Sequence, residues 1–330
     1  MTEPGELFGV VTQGTGGVWH VLADDGTVHE ASLRGRLKKS DAGRRAGGSI
    51  RRDTGAAARA QVKLAVGDRV RLERDARGHA LAIAEILPRR SRLARRAPGG
   101  AHGERVLAAN VDQVVAVFAA ARPDPHLHML DRFLVIAEAN GLAARIVVNK
   151  IDLVGPEVAH ARFTDYPRAG YPVHFTSVKQ GEGLDVLRRA LEGRTSVLAG
   201  PSGTGKSSIV NALFPGLDLR VGAISESVNK GRHTTVGASL HALPGERGGF
   251  VVDTPGLREV GMWELPLERL DLCFPEIRVH REQCRFADCR HGAEPDCEVR
   301  AAVERGEVSV VRYESYLKLS RELEDEKPGW

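Results

Sequence analysis

Residues 200–207 read GPSGTGKS and match the phosphate-binding pattern G-x-x-x-x-G-K-[ST]. The stretch SVLA before the pattern is typical of a strand, and SSIVNALF after it is typical of a helix. In this context the glycines let backbone N–H groups turn towards phosphates, Lys206 reaches the β- and γ-phosphates, and Ser207 ligates Mg²⁺. The alternative is a glycine-rich loop that contains a lysine by chance. The motif predicts a P-loop formed by Gly200, Pro201, Ser202, Gly203, Thr204, Gly205, Lys206, Ser207 and Ser208.

A second motif, NKID at residues 149–152, follows the apolar stretch RIVV. It places polar side chains at the carboxyl end of a strand, where α/β sheets bind their ligands. A carboxylate there accepts hydrogen bonds from N1–H and N2–H₂ of guanine, whereas adenine presents an acceptor at N1 and leaves the carboxylate unpaired. A backbone N–H at the end of the next strand can also contact the base. We therefore expect a guanine site at Asn149, Lys150, Ile151, Asp152, Thr176 and Ser177, although NKID alone is also compatible with a solvated strand end.

A third motif, DTPG at residues 253–256, follows the apolar stretch FVV. Asp253 can hold Mg²⁺ through water, and the N–H of Gly256 can approach the γ-phosphate. The alternative is an ordinary turn at the end of a strand. Between the P-loop and DTPG, a polar segment contains Thr234 and Thr235. One of the two threonines is expected to sense the γ-phosphate through Mg²⁺, and we slightly favour Thr235.

The group that positions the attacking water is not obvious. Leu257 follows DTPG, where Ras-type enzymes carry a glutamine, and leucine cannot orient water. His233 in the same polar segment is the available candidate, although it is also compatible with a solvated loop histidine. The expected catalytic residues are therefore His233, Lys206 and Thr235.

The order of the motifs differs from that of most GTPases. The guanine-reading motif at residue 149 precedes the P-loop at residue 200, whereas it usually comes last. The chain is therefore expected to contain a circularly permuted GTPase domain. Permutation moves the chain ends, so that the segment after DTPG leads directly into the C-terminal domain and can transmit the motion of the switches.

A cysteine cluster, Cys-x4-Cys-x-His-x5-Cys, lies near the C-terminus. Three thiolates and one imidazole complete a tetrahedral Zn²⁺ site and leave no position for water, so the ion is expected to be structural. A fortuitous cluster or a redox pair remains the alternative. Cys273 is expected to be a buried thiol, and His280 is a weak competitor as a ligand. The expected zinc ligands are Cys284, Cys289, His291 and Cys297.

Basic residues are concentrated in the first third of the chain. The 330 residues include 47 Lys and Arg against 43 Asp and Glu. This excess is small, and it is informative only because the basic residues are unevenly distributed along the chain. Residues 89–105 add six arginines against Glu104. Such clusters indicate a polyanionic partner such as RNA, although a solvated surface is the alternative. The expected RNA-binding residues are Arg34, Arg36, Lys38, Lys39, Arg44, Arg45, Arg51 and Arg52.

Composition narrows the class of protein further. With 42% apolar and 27% charged residues, the chain has the composition of a globular protein and not that of a disordered or fibrous protein. It contains no apolar run of the ~20 residues that a membrane span needs, and its N-terminus lacks the regions of a secretory signal. We therefore expect a cytoplasmic protein, and nothing requires more than a monomer. Since the front segment has few aromatic residues, phosphate contacts are favoured over base stacking.

These residues must be positioned by a multi-domain architecture. Short β-rich pieces predict a β-barrel over residues 1–88, interrupted by a basic insert at 38–59. Residues 89–105 are expected to form a basic linker. Apolar strands alternating with amphipathic helices predict a parallel α/β sheet over 106–265, followed by a zinc-binding domain at 266–330.

The chain resembles the RsgA family, also called YjeQ, of small-ribosomal-subunit-dependent, circularly permuted GTPases. The resemblance covers nearly the whole chain and rests on VGDRV, AANVDQV, NKID, GPSGTGKSS, GRHTT, DTPGL, FPEI, the cysteine cluster and RYESYLKL. It implies an OB-fold domain, a permuted GTPase domain and a zinc domain. It also implies GTP hydrolysis stimulated by the small ribosomal subunit during late maturation, with a catalytic role for His233. Thr204 and Val178 depart from the family pattern, which has Val and Ala there.

Three functions are consistent with these features. The first is a GTPase that acts as a checkpoint on small-subunit rRNA and uses Mg²⁺ with GTP. The second, suggested by Leu257, is an RNA-binding module for which GTP is a conformational ligand with negligible turnover. The third is a P-loop ATPase with nucleic-acid-binding appendages, which Asp152 disfavours.

Overall fold

The computed structural model describes residues 6–34, 63–74, 80–96, 104–217, 219, 238–253 and 265–325. Within these ranges, strands β1–β5 form a closed barrel in the order β1-β2-β3-β5-β4. Its inward side chains alternate along each strand and are mainly β-branched, as at Val11, Val21 and Ile83. The expected OB-type barrel is thereby confirmed. Its strands are β1 (Leu7–Thr15), β2 (Val18–Ala23), β3 (Val28–Leu33), β4 (Arg69–Arg74) and β5 (Leu81–Ile86).

The basic insert between β3 and β4 lies outside the described residues, together with Arg36, Lys38, Lys39, Arg44, Arg45, Arg51 and Arg52. Arg34, at the end of β3, is described. Its guanidinium forms an ion pair with Glu73 on β4 while more than half of its side chain stays exposed. Part of its charge is therefore already compensated within the barrel.

The segment expected as a linker, residues 89–105, contains one strand and the beginning of a second that pairs antiparallel with it. They are β6 (Arg92–Arg96) and β7 (Glu104–Ala109). Leu93 and Ala108 are fully buried and belong to the main apolar core of the α/β domain. The arginine-rich composition concealed this pairing, because Leu93 and Ala94 are the only apolar residues of β6.

The α/β domain is built on a six-stranded sheet, among the described residues, in the order β10-β9-β8-β11-β13-β12. All neighbours are parallel except β12, which pairs antiparallel with β13. A short loop joins these two strands, and so short a connection permits only antiparallel pairing. The strands are β8 (Gln113–Ala119), β9 (Ala143–Asn149), β10 (Val173–Phe175), β11 (Thr195–Ala199), β12 (Ser239–Ala242) and β13 (Phe250–Asp253).

Helices cover both faces of this sheet, which explains why every residue of the central strand β8 is buried. Helices α1 and α2 pack on one face through residues such as Phe133 and Ala159. Helices α4 and α5 pack on the other through residues such as Leu187 and Ile209. The helices are α1 (Leu127–Ala139), α2 (Pro156–Arg162), α3 (Asp165–Arg168), α4 (Leu184–Leu191) and α5 (Lys206–Leu213).

The C-terminal module consists of short helices and one 16-residue helix around a second core that includes Phe274, Tyr316 and Leu319. This core also includes Val135 of α1, so the module packs directly on the α/β domain. Its helices are α6 (Pro275–Arg278), α7 (Glu298–Glu304) and α8 (Val310–Asp325), with 3-10 turns at Leu267–Arg269, Asp271–Cys273 and Arg281–Gln283. No helix in the described ranges is both long and apolar enough to span a bilayer.

Candidate functional site

The P-loop connects β11 to α5 and wraps tightly against its neighbours. Gly200 has φ +128°, and a Cβ there would lie 2.2 Å from the carbonyl oxygen of Val117 on β8. Gly205 has φ +96°, and a Cβ there would lie 2.3 Å from Nδ2 of Asn149. Both positions therefore need glycine for backbone conformation and for space. The glycines of the motif hold the loop against the ends of β8 and β9.

Lys206 begins helix α5 and is buried inside the loop. Its Nζ donates to the carbonyl oxygens of Gly200 and Pro201, at 2.8 and 2.6 Å. Ser207 follows on the first turn and is also buried. An ammonium group and a helix N-terminus therefore converge on the concave side of the loop, an arrangement suited to phosphates.

Asn149 and Lys150 join the NKID motif to the P-loop. Nδ2 of Asn149 donates to the carbonyl oxygen of Thr204 at 3.0 Å, and the residue is 2% exposed. Nζ of Lys150 donates to the carbonyl oxygens of Gly203, at 2.6 Å, and Arg122, at 2.5 Å. Two of the four motif residues thus hold the P-loop in place.

Asp152 is the carboxylate of the motif, and Ser177 orients it. The Ser177 hydroxyl donates to Oδ1 of Asp152 at 2.6 Å, and it accepts a hydrogen bond from the backbone N–H of Gln180. This bond uses Oδ1 and fixes the plane of the carboxylate. Asp152 lies in a 3-10 turn directly after β9, at the carboxyl edge of the sheet.

Thr176 and Ser177 were expected to offer a backbone N–H to the base, but the structure uses these groups elsewhere. The N–H of Thr176 donates to Val148, and that of Ser177 donates to Glu182. The side chains contribute instead, because the Thr176 hydroxyl donates to Oδ1 of Asn149 at 3.3 Å. The two residues therefore support the NKID side chains.

Asp253 ends β13 and is half-buried. Since β13 runs parallel to β11 with Val252 opposite Val197, Asp253 reaches the same edge of the sheet as the P-loop. The remaining predicted switch and catalytic residues lie outside the described residues: His233, Thr234, Thr235, Thr254, Pro255, Gly256 and Leu257.

The four predicted metal ligands lie together in the C-terminal module. Their ligand atoms all fall within 4.8 Å of one another, and all four cysteines of the chain are free thiols. Sγ of Cys284 is 3.9 Å from Sγ of Cys297, and each of these sulfurs is 3.5 Å from Nδ1 of His291. A tetrahedral ion with Zn–S of about 2.3 Å and Zn–N of about 2.05 Å places S and S about 3.8 Å apart, and S and N about 3.6 Å apart. Cys284, Cys289, His291 and Cys297 therefore fit one tetrahedral metal ion.

Burial of the cluster disfavours charged thiolates in the absence of a cation. Burial raises the pKa of the Cys289 thiol to about 12, and burial also raises the pKa of Cys297. A coordinating metal ion removes these protons outright.

Cys273 lies apart from the cluster, buried, with its Sγ donating to the carbonyl of Arg269. His280 instead lies near Glu307, at 3.7 Å.

One functional contact was invisible to sequence reasoning. The carbonyl group of Arg122 lies in the segment between β8 and α1, which carries no motif, yet Lys150 binds it. A backbone carbonyl leaves no signal in a sequence, because any residue supplies one.

The fold and the site together define a P-loop GTPase whose motifs are circularly permuted: the guanine motif follows β9 and the P-loop follows β11. The chain belongs to the RsgA GTPase family, a family of GTP hydrolases, and the family model matches residues 86–263. This match spans more than half of the chain.

Relatives and solved structures agree with this membership. The chain is 60% identical over 316 residues to the "Small ribosomal subunit biogenesis GTPase RsgA" of Gemmatimonas aurantiaca, covering 96% of this chain and 97% of the relative. The relative of the same name from Agathobacter rectalis is 34% identical, with 97% and 99% covered. The crystal structure of YjeQ from Thermotoga maritima superposes with TM-score 0.76 at 32% identity, covering 98% of this chain and 100% of that one. YloQ, described as a circularly permuted GTPase, gives TM-score 0.70 at 28% identity, with 98% and 97% covered.

Proposed function

We propose that this GTP hydrolase acts in biogenesis of the small ribosomal subunit and hydrolyses GTP fastest when docked on that subunit. One observation carries the proposal. The side chains of Asn149 and Lys150 are hydrogen-bonded to the P-loop, in a chain 60% identical over almost its whole length to a relative named for small-subunit biogenesis. GTP-dependent docking on immature rRNA, hydrolysis and release as the GDP form would make the protein a late maturation checkpoint.

Asp152 is proposed to select guanine. Ser177 fixes its carboxylate through Oδ1, and a fixed acceptor-only group matches the two N–H donors of guanine. Adenine presents an acceptor at N1 and would leave the Asp152 carboxylate without donors from the base, which disfavours ATP. Asn149 and Lys150 support the site by holding the P-loop.

Lys206, Ser207 and Asp253 are proposed to hold the phosphates and Mg²⁺, with Thr235 or Thr234 completing the ion's ligands. The three described residues fit this role because they meet at one edge of the sheet. Bound Mg²⁺ would neutralise charge on the phosphate oxygens. Lys206 is already held inside the loop, so it needs little reorganisation to pair with a phosphate.

His233 is proposed to position the attacking water, since Leu257 occupies the place of the usual glutamine. Gly256 is proposed to contact the γ-phosphate through its N–H. Because catalysis then depends on a group in a switch segment, we expect slow hydrolysis until docking on the subunit completes the hydrolytic site.

The barrel and the arginine-rich segments are proposed to contact rRNA through its phosphates. The proposed division is an RNA-binding domain at 1–88, a linker at 89–105, a GTPase domain at 106–265 and a zinc domain at 266–330. The ion pair of Arg34 with Glu73 compensates part of the charge that Arg34 would offer to RNA phosphates. We further propose that the protein works as a monomer in the cytoplasm.

The metal is proposed to be a single structural Zn²⁺ held by Cys284, Cys289, His291 and Cys297. Spacings of 3.5 and 3.9 Å between ligand atoms support a tetrahedral ion. Bound zinc would cross-link the short turns that carry its ligands and stabilise the fold of the module.

Steady-state hydrolysis of GTP and ATP tests the function, measured on zinc-loaded protein with and without purified small ribosomal subunits. We expect strong stimulation for GTP alone, and its loss in His233→Ala. His233→Gln, which keeps a hydrogen-bonding side chain, should retain part of the activity. Tight binding of GTP and of subunits without stimulation would refute the checkpoint enzyme and indicate an RNA-binding protein that uses GTP as a conformational ligand. ATP outcompeting GTP would refute the role of Asp152.

A further inference from the structure

The imidazole of His291 presents different surroundings to its two nitrogens. Nδ1 faces the sulfurs of Cys284 and Cys297, at 3.5 Å from each. Nε2 points the opposite way and is fully buried, and among the described residues no atom lies within hydrogen-bonding distance of it. A carboxylate oxygen of Asp271 lies 3.6 Å from Nε2, the range of an ion pair and slightly longer than a hydrogen bond.

The Asp271 carboxylate is itself held in place. Its Oδ1 accepts a hydrogen bond from the backbone N–H of Leu272, at 2.8 Å. Its Oδ2, the atom that faces His291, accepts a hydrogen bond from Nε of Arg281, at 2.5 Å. The side chain of Asp271 is 9% exposed. A buried, oriented anion therefore stands behind the imidazole of a proposed metal ligand.

The backbone that carries His291 is fixed from helix α8. His291 has φ +59°, a left-handed conformation that non-glycine residues rarely adopt. The hydroxyl of Tyr313 donates to the carbonyl of His291 at 2.6 Å, and that of Tyr316 donates to the carbonyl of Arg290 at 2.9 Å. The ring centroid of Tyr316 lies 6.0 Å from that of His291. With the main chain held in this way, the imidazole has little freedom to turn away from Asp271.

We propose that Asp271 is the positioning residue of the metal centre: its carboxylate accepts the Nε2–H of His291 and so reserves Nδ1 for the metal. This inference rests on the zinc site proposed above. A carboxylate in this position selects one tautomer of the imidazole, orients the ring and raises its basicity as a ligand. Arg281 acts one step further out, by holding Asp271.

The test compares Asp271→Ala with Asp296→Ala in the full-length protein. Asp296 is a matched control because it precedes the ligand Cys297 and pairs with Arg285, yet its side chain is 65% exposed. Zinc dissociation constants are measured by competition with a chelator. Loss of an outer-shell partner weakens metal binding by about 10- to 100-fold, which we expect for Asp271→Ala, against less than about twofold for the control. Asp271→Asn, whose amide oxygen can accept the same N–H, should restore part of the affinity.

A second measurement separates positioning from a general loss of structure. With Co²⁺ in place of Zn²⁺, the exchangeable N–H of the ligated imidazole gives a strongly shifted proton NMR line. We expect a sharp line in the wild type and in Asp296→Ala. In Asp271→Ala the line should be broadened by exchange with water. The visible absorption bands should remain those of tetrahedral Co²⁺.

The outcomes distinguish this inference from the proposal beneath it. If the wild-type protein binds neither Zn²⁺ nor Co²⁺, the proposed metal site fails. If the wild type binds zinc, and Asp271→Ala matches Asp296→Ala in affinity and in the proton line, Asp271 has no positioning role.

Discussion

Replacing Gly205 by alanine should specifically disturb the contact between the P-loop and the NKID motif. A Cβ at this position would lie 2.3 Å from Nδ2 of Asn149, closer than real side chains approach. Asn149 is 2% exposed and donates to the carbonyl of Thr204, so it has little room to move without losing that bond. The substitution therefore pushes apart the two motifs that together form the nucleotide site.

A control variant separates the effect of backbone strain from the effect of the contact with Asn149. Gly216 has φ +101°, close to the +96° of Gly205, but a Cβ there meets nothing within 4 Å. In both alanine variants the strain of a left-handed backbone lowers the free energy of unfolding by about 1–2 kcal/mol. Only Gly205→Ala also breaks a buried hydrogen bond, which costs about 1–3 kcal/mol and corresponds to a GTP dissociation constant raised about 5- to 150-fold.

The assay is titration of both variants and the wild type with a fluorescent GTP analogue in the presence of Mg²⁺. Thermal unfolding is followed in parallel to confirm that each variant is folded. We expect Gly216→Ala to bind within about twofold of the wild type, although it unfolds at a lower temperature. Equal dissociation constants for the two folded variants would refute the role assigned to the Asn149 contact.

Three further predictions follow from individual side chains. Asp152→Asn should lose GTP affinity and gain affinity for xanthosine triphosphate, whose C2 carbonyl matches an amide donor, as measured by competition binding. Burial and, second, Arg145 lower the pKa of His174 to about 4, below its usual 6.5. The neutral form is thus favoured by folding, so the free energy of unfolding should fall as pH drops from 6.5 towards 4, and His174→Gln should flatten that change in urea titrations. Arg312→Ala should destabilise the protein by about 3–5 kcal/mol in chemical unfolding, because it leaves the buried carboxylate of Asp131 unpaired.

Each of these three has a result that contradicts it. Unchanged guanine preference in Asp152→Asn would show that another group reads the base. An equal loss of stability between pH 6.5 and 4 in His174→Gln would assign the acid sensitivity elsewhere. A change of less than about 1 kcal/mol in Arg312→Ala would mean that the buried carboxylates find other partners.

The described residues of the candidate nucleotide site could be predicted to lie at one sheet edge because the chemistry they would serve is local. The P-loop needs glycines and a lysine at fixed spacing, and the structure has Lys206 at the start of α5 as that spacing requires. The four residues proposed to hold a metal could be predicted to lie together for the same reason, since four donors within 14 residues can meet without help from the rest of the fold.

Contacts between distant parts of the chain could not be predicted in this way. Arg312 and Asp131 are separated by 181 positions, and both are buried. In the sequence, each reads as an ordinary surface charge on a helix. The supporting roles of Thr176 and Ser177 were also missed, because a hydroxyl that orients a neighbour has no spacing rule. Residues that hold the site are therefore harder to find than residues that form it.

The C-terminal module is connected to the nucleotide site by a route that sequence order did not suggest. The motif order led us to expect a link through the segment after DTPG, and residues 254–264 lie outside the described ranges. The described structure offers helix α1 instead. The segment just before α1 contains Arg122, whose carbonyl binds Lys150 of the NKID motif.

The middle of the same helix holds the C-terminal module through a buried ion pair. Nη1 of Arg312 on α8 donates to Oδ1 of Asp131 on α1 at 2.5 Å, and Nε of Arg312 donates to Glu276 on α6 at 2.6 Å. Separating these groups would leave charges buried and unpaired, which is far more costly than a small shift of the whole assembly. We therefore expect helix α1 and the C-terminal module to move together as one unit. The segment just before α1 supplies the carbonyl group that binds Lys150. A change in the position of the NKID motif can therefore reach the C-terminal module through α1, without involving the switch segments.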